Sequence, residues 1–255
     1  MPARVRFAIL ADAHVLPDGA PPLHGTDSGG NLRAAIERVT ALDPPAAFVV
    51  HLGDLVGEDT PQAYGAFTAI AGTLNLPQYP VVGNHDDPGL LAATLPLPEG
   101  VEPAGAPAGH YSFTRGPLHI VVLNSRVAGE IGGRLDAAQL HWLDDDLRAH
   151  QGTRSLVFVH HPMALIGIEW LDASRLSNAA ELEAVIKRLG SVAMVFSGHV
   201  HRHERATSGG LSLETAPSTW MSFQANPDEP RIDTGQGFLV VDAGPGRLSV
   251  QRVVL

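Results

Sequence analysis

The chain is predicted to adopt an α/β fold with a layered core, on two observations. Up to Phe196, short apolar runs alternate with stretches of helical spacing, and beyond Leu211 the runs are separated by Gly and Pro turns with no helix between them.

The elements follow in order. Val5–Leu10 reads as a buried strand, and because it runs at once into Asp12 and His14 it is not read as a signal peptide. Leu32–Leu42 has helical spacing. A second strand is expected at Ala47–Val50, followed by a helix that Thr60 caps and Pro61 opens. Tyr79–Val82, Leu118–Leu123, Leu156–Val159 and Val192–Phe196 complete the buried strands. Asp136 can cap a helix through Leu140, Leu143 and Leu147, and Asn178 and Gly190 bracket another through Leu182, Val185 and Leu189. The segments 17–31 and 95–109 are rich in Gly and Pro and read as surface loops. Leu211–Thr215, Gly237–Val241 and Arg247–Val254 give strands from which a second, more antiparallel sheet is expected.

Composition bounds the function. Residues 1–255 are expected to form one domain, and an apolar fraction of 44% with 17% charged residues is that of a globular enzyme. No apolar run approaches the roughly 20 residues of a membrane span, so no membrane partner is expected and the location is expected to be cytoplasmic. With no cysteine there is neither a disulfide framework nor a thiolate site, and any metal must be held by carboxylate, imidazole or amide groups. A formal net charge of −10 argues against a surface that grips a nucleic-acid polymer and favours small substrates.

Residues able to bind metal recur at the C-terminal ends of the strands, where open α/β sheets place their sites. The first strand ends in Asp12-Ala13-His14, the second in Gly53-Asp54 and the third in Gly83-Asn84-His85-Asp86. A later one ends in His160-His161-Pro162 and the last in Gly198-His199-Val200-His201. Each alone is an ordinary turn or loop sequence. Together they would bring carboxylates so close that they repel unless a cation or proton sits among them, and a dinuclear metal site removes the difficulty.

In this order, Asp12-x-His14, Gly53-Asp54, Gly83-Asn84-His85-Asp86, His160 and Gly198-His199-x-His201 resemble the successive signature blocks of the calcineurin-like metallophosphoesterases, over most of the chain. The resemblance implies two stacked mixed β-sheets flanked by helices, a four-layer αββα sandwich. It also implies that Asp12, His14 and His201 hold one metal, that Asn84, His160 and His199 hold the other, that Asp54 bridges them, and that His85 is an acid outside both ligand sets. Leu123-Asn124-Ser125, followed by Gly132, Leu135, Gln139-Leu140 and Trp142-Leu143, is similar to a family segment that reads Leu-Asp-Ser, with Asn124 in place of the Asp. Leu23-His24-Gly25-Thr26-Asp27 and Ala216-Pro217-Ser218-Thr219 with Phe223-Gln224 resemble the bacterial class III cyclic nucleotide phosphodiesterases.

The remaining histidines have plainer readings. His51 lies inside a buried strand and is expected to be a hydrogen-bonded core residue. His161 follows His160, and successive strand residues face opposite ways, so both cannot readily bind one ion. His203, two residues beyond His201 on a turn, could line the substrate mouth, but is expected in solvent or behind the ligands. Asp86 either orients His85 or caps the next turn. His24, His110, His119, His141 and His150 carry no positional argument.

The implied activity is hydrolysis of a cyclic nucleotide or similar small phosphodiester by a hydroxide shared between two divalent or mixed-valence ions. Histidine and carboxylate ligands suit Mn, Fe or Zn. The alternatives are a phosphomonoesterase, nucleotide-derivative or glycerophosphodiester hydrolase of the same fold, or a non-catalytic metal-binding scaffold. Loss of ligands or of His85 would mark the scaffold, and all are present.

Overall fold

The computed structural model describes residues 4–104, 109–224, 235–244 and 246–255. Two mixed sheets stack face to face. The first contains β1 (Val5–Leu10), β2 (Val49–Leu52), β3 (Gln78–Val81), β10 (Gly237–Gly244) and β11 (Arg247–Val254), in the order β11-β10-β1-β2-β3. The second contains β4 (Tyr111–Arg115), β5 (Leu118–Leu123), β6 (Arg154–Val159), β7 (Val192–Ser197), β8 (Arg205–Ser208) and β9 (Leu211–Thr215), in the order β4-β5-β6-β7-β9-β8. Strands β1, β2 and β3 run parallel, as do β5, β6, β7 and β9.

The near-continuous apolar runs follow from burial on both faces. In β1, Phe7 and Ile9 point between the sheets while Ala8 and Leu10 point outward to α1 (Ser28–Thr40) and α2 (Pro61–Ala71). In β5, Ile120 and Val122 face the other sheet, and Val121 and Leu123 pack on α4 (Ala137–Ala149) and α6 (Ala179–Leu189). These three cores make the αββα layering. Thr60 and Asp136 cap as expected, accepting from the backbone N–H groups of Ala63 and Gln139, and Gly190 ends α6 at φ 67°. Asn178 has another task. Its amide exchanges hydrogen bonds with the backbone of Leu135 and so pins the loop before α4 to the start of α6.

Several elements differ from expectation. The tail strands do not form a sheet of their own. β9 joins the second sheet parallel to β7, while β10 pairs antiparallel with β1 and carries β11 to the edge of the first. β2 begins two residues later than expected, because Ala47 bonds to Arg6 outside the ladder. The helix expected from Leu32 begins at Ser28, where Asp27 caps it, so the preceding loop is shorter. Strands β4 and β8 and helices α3 (Pro88–Thr94) and α5 (Glu169–Asp172) were not anticipated. Part of the loop expected over 95–109 lies outside the described residues. Among the described residues, no helix is long and apolar enough to cross a membrane.

His51 is the hydrogen-bonded core residue expected. Gln78 donates its amide to Ala71, so its oxygen accepts the His51 Nε2–H at 2.7 Å. Burial lowers the His51 pKa to about 4, against a smaller upward pull from that hydrogen bond. An unfolded histidine titrates near 6.5. Above that pH neither state is protonated and His51 costs nothing. As the pH falls towards 4, only the unfolded chain takes up the proton, and stability falls by up to about 3 kcal/mol. His51→Gln is therefore expected to flatten the acid limb of stability. Urea midpoints of metal-free parent and variant at pH 7 and pH 4.5 check this, and equal drops for both would refute it.

Candidate metal centre

The parallel strands of both sheets present their C-terminal ends to one rim, and the candidate residues stand there. The chain turns sharply in leaving the strands. Asp12 (φ 51°), His14 (φ 44°), Asp54 (φ 52°), His199 (φ 69°) and His201 (φ 52°) all adopt the left-handed region, which costs a non-glycine residue on the order of 1–3 kcal/mol. The loops hold one another: Asp12 N–H donates to Gly53 O, His14 N–H to Asp54 O, and Gly198 N–H to His160 O. Glycine is required within these turns. A Cβ on Gly53 would run into the His160 ring, and one on Gly83 into Asp54.

Two groups of donor atoms result. In the first, His201 Nε2 lies 3.2 Å from His14 Nε2 and 3.5 Å from Asp12 Oδ1. In the second, Asn84 Oδ1 lies 3.1 Å from His160 Nε2 and 3.0 Å from His199 Nδ1. Asp54 stands between them, with Oδ2 at 3.6 Å from His14 Nε2 and 3.3 Å from His160 Nε2. Donors 2.0–2.2 Å from one ion stand about 3.3–3.6 Å apart in a tetrahedral arrangement and about 2.8–3.1 Å apart at right angles, so spacings of 3.0–3.6 Å fit shared cations.

The far sides of the rings settle which nitrogens face inward. His160 Nδ1–H donates to Leu52 O at 3.0 Å and His201 Nδ1–H to Met221 O at 2.9 Å. Ser174 donates its hydroxyl to Leu171 O and accepts the His199 Nε2–H at 2.9 Å. Each ring thus turns its other nitrogen to the centre, the arrangement by which outer partners orient metal ligands. Asp12 Oδ2 is buried and has no hydrogen-bond partner, which is costly unless a cation answers it.

Electrostatics agree. Burial, and to a lesser extent Asp54, hold the Asp12 carboxyl well above the usual range despite the pull of His160. Burial also opposes ionisation of Asp54, yet the charge and hydrogen bond of His160, with His14 and His85, take it well below. His160 is raised to about 9: burial works against its charge and Asp54 outweighs it. The polypeptide alone therefore answers Asp54 with a proton on His160, where bound cations would serve instead. His14 is pushed well below its ordinary value by burial, and His201 to about 3, so both offer neutral rings.

His85 is exposed at the mouth, edge-on to His14 with ring centroids 4.8 Å apart, and it lies close enough to His14 and Asp54 to form a third grouping of donors. His161, though beside His160 and His199, has both ring nitrogens engaged. Its Nε2–H donates to Ile131 O at 2.9 Å, and its Nδ1 accepts from the Ser125 hydroxyl at 2.7 Å. Asp86 does not orient His85: its carboxylate accepts from the N–H groups of Gly83 and Leu55 and closes the turn, while Asp87 caps α3. His203 pairs with the buried Glu214 at 2.6 Å instead of facing solvent or standing behind the ligands. A separate group of His119, Asp146 and His150 is closed on itself, with Ser112 and His119 on the carboxylate and the two rings stacked at 3.7 Å.

Sequence reasoning missed Ser174, Ile131 and Trp170, which line a cavity of about 190 Å³ over the centre with His85, His199 and Phe223. The Gly132-Gly133 pair was the available signal, since a Cβ on Gly133 would collide with His161.

A sequence profile of the calcineurin-like phosphoesterases matches residues 5–203, from the first residue of β1 to two residues past His201. This chain belongs to the calcineurin-like phosphoesterase family. Family members carry a dinuclear metal centre and act on small phosphate esters, and the His/Asp groups above are able to bind metal. A 3′,5′-cyclic-nucleotide phosphodiesterase of Nostoc sp. (strain PCC 7120) is 30% identical over 221 residues, 87% of this chain and 80% of that protein. The 3′,5′-cyclic adenosine monophosphate phosphodiesterase CpdA of Escherichia coli (strain K12) is 28% identical over 233 residues, 91% and 82% of the two chains. A dimetal phosphatase from Danio rerio superposes with a TM-score of 0.75 over 98% of each chain at 18% identity, a likeness of fold.

Proposed function

We propose that this protein hydrolyses small phosphodiesters, cyclic nucleotides foremost, at a dinuclear centre to which both sheets contribute. The observation that carries the reading is the convergence of two donor groups on either side of Asp54 Oδ2. Asp12, His14 and His201 would hold one ion, Asn84, His160 and His199 the other, with Asp54 between them. An imidazole, carboxylate and amide donor set suits Mn, Fe or Zn. When bound, such ions supply an activated water at neutral pH and neutralise charge on phosphoryl oxygens.

The chain's own residues do the rest. Asp54 Oδ1 accepts the His85 N–H at 2.9 Å, which holds the His85 backbone against the centre while its ring remains at the mouth. From there His85 can donate a proton to the departing oxygen. Since β1, β2 and β3 of one sheet and β6 and β7 of the other each end at the site, we take residues 1–255 as one functional domain. The diester reading is supported by the names of the Nostoc and Escherichia relatives. Metal-loaded protein should turn over cyclic AMP or glycerophosphodiesters faster than the corresponding monoesters, and the reverse order would overturn the reading.

Ser174→Ala is expected to leave the His199 Nε2–H without its partner and to weaken retention of one ion roughly 10- to 100-fold. Competition with a graded series of chelators reads this directly. An unchanged affinity would show that Ser174 does not orient the ring.

A further inference from the structure

One part of the cavity serves neither the metals nor the proton. Its mouth is apolar on two sides, and each side is held by a polar device out of proportion to a surface loop. On one side stands Ile131, 68% exposed, one of the few large hydrophobic side chains left open to solvent among the described residues. Its backbone carbonyl is fixed by the buried His161, itself fixed by Ser125, and the following Gly133 lies so close to His161 that no larger residue fits. On the other side stand Trp170 and Phe223, edge to face with centroids 5.0 Å apart. Phe223 also stacks on His201 at 4.1 Å and 17°. Their support is equally definite: Asp172 gathers the N–H groups of Ile166 and Gly167 at 2.8 and 3.0 Å, and Ile168, Leu171 and Val200 form a small core beneath. The two sides are tied to each other, for Gly133 N–H donates to Arg175 O and Ser177 N–H to Gly133 O.

A rigid, open apolar surface at the mouth of a polar site has a cost in water unless something flat and apolar covers it. We propose that Ile131, Trp170 and Phe223 form a subsite for the planar, apolar portion of an ester group on the scissile phosphorus, of the nucleobase class. The phosphate goes to the metal centre and the ring lies between the two apolar sides. The proposal rests on the phosphoester reading of the centre and adds which residues recognise the organic part of the substrate.

Calorimetric titration of the metal-loaded protein with adenosine 5′-monophosphate and with ribose 5-phosphate isolates the subsite, because the two share phosphate and sugar and differ in the base. The parent is expected to bind the nucleotide about ten- to a hundredfold more tightly, the range of one base on an aromatic platform. Trp170→Ala should bring the two affinities within about threefold of each other, leaving that for ribose 5-phosphate unchanged. Ile131→Ser, at a side chain too exposed to matter for folding, should lower the preference by roughly three- to tenfold. Equal affinities in the parent, or a preference that survives both substitutions, would overturn the proposal. Failure of the diester reading would show elsewhere, as absent hydrolysis by a protein that still prefers the nucleotide.

Discussion

Asp54→Ala is expected to empty the centre and abolish turnover together. Asp54 Oδ2 stands between the two donor groups, 3.6 Å from His14 Nε2 and 3.3 Å from His160 Nε2, and Asp12 is the other carboxylate in the proposed ligand set. Without Asp54 a pair of divalent ions would face one buried carboxylate and neutral donors, which is too little charge to hold both. The fold should suffer as well, since Oδ1 accepts the His85 N–H and would leave it unpaired. Asp54→Asn separates the two effects. Its amide oxygen can still accept from His85, so the protein should fold, yet with the charge gone activity should drop below about a thousandth of the parent's. Elemental analysis after dialysis, beside diester turnover, checks both variants. Two retained ions with near-normal turnover in Asp54→Ala would remove the bridge from the proposed mechanism.

The convergence of the proposed ligands was legible in the sequence because each part of it is local. An apolar strand followed by Asp-x-His or Gly-Asn-His states both where the chain is buried and what waits at the strand's end, and Asp12, Asp54, Asn84, His160, His199 and His201 stand at one rim because parallel strands deliver their ends there. What escaped is what depends on distant partners. β10 reads like any tail strand, and only its register with β1, Phe7 opposite Val241, places it in the first sheet and not in a sheet of its own. Asp86 reads as a residue that could serve its neighbour, but its carboxylate is spent on Leu55, thirty-one residues away in sequence. Ser174, Ile131 and Trp170 sit in irregular backbone or a single short turn, positioned by His161, by Asp172 and by the Gly133–Arg175 backbone bond. No periodicity marks such residues.

His85→Ala is expected to keep its metals and lose activity selectively. The His85 ring is exposed and enters neither of the two donor groups that meet at Asp54, although it stands beside His14, so its removal should leave the ions in place. The role argued above is to protonate the leaving oxygen, and that matters in proportion to how poor the leaving group is. A ribose alkoxide needs the proton, whereas a nitrophenolate departs without it. Turnover of an alkyl or cyclic diester should therefore fall by roughly 10²–10⁴, while a nitrophenyl diester suffers much less. If His85 instead only places the phosphate by its charge, both substrates lose the same factor. Metal content, measured on the same preparation, guards against a third outcome in which His85 is itself a ligand, as its nearness to His14 and Asp54 permits. Retained metals with equal losses would reject proton donation, and lost metals would move His85 into the centre.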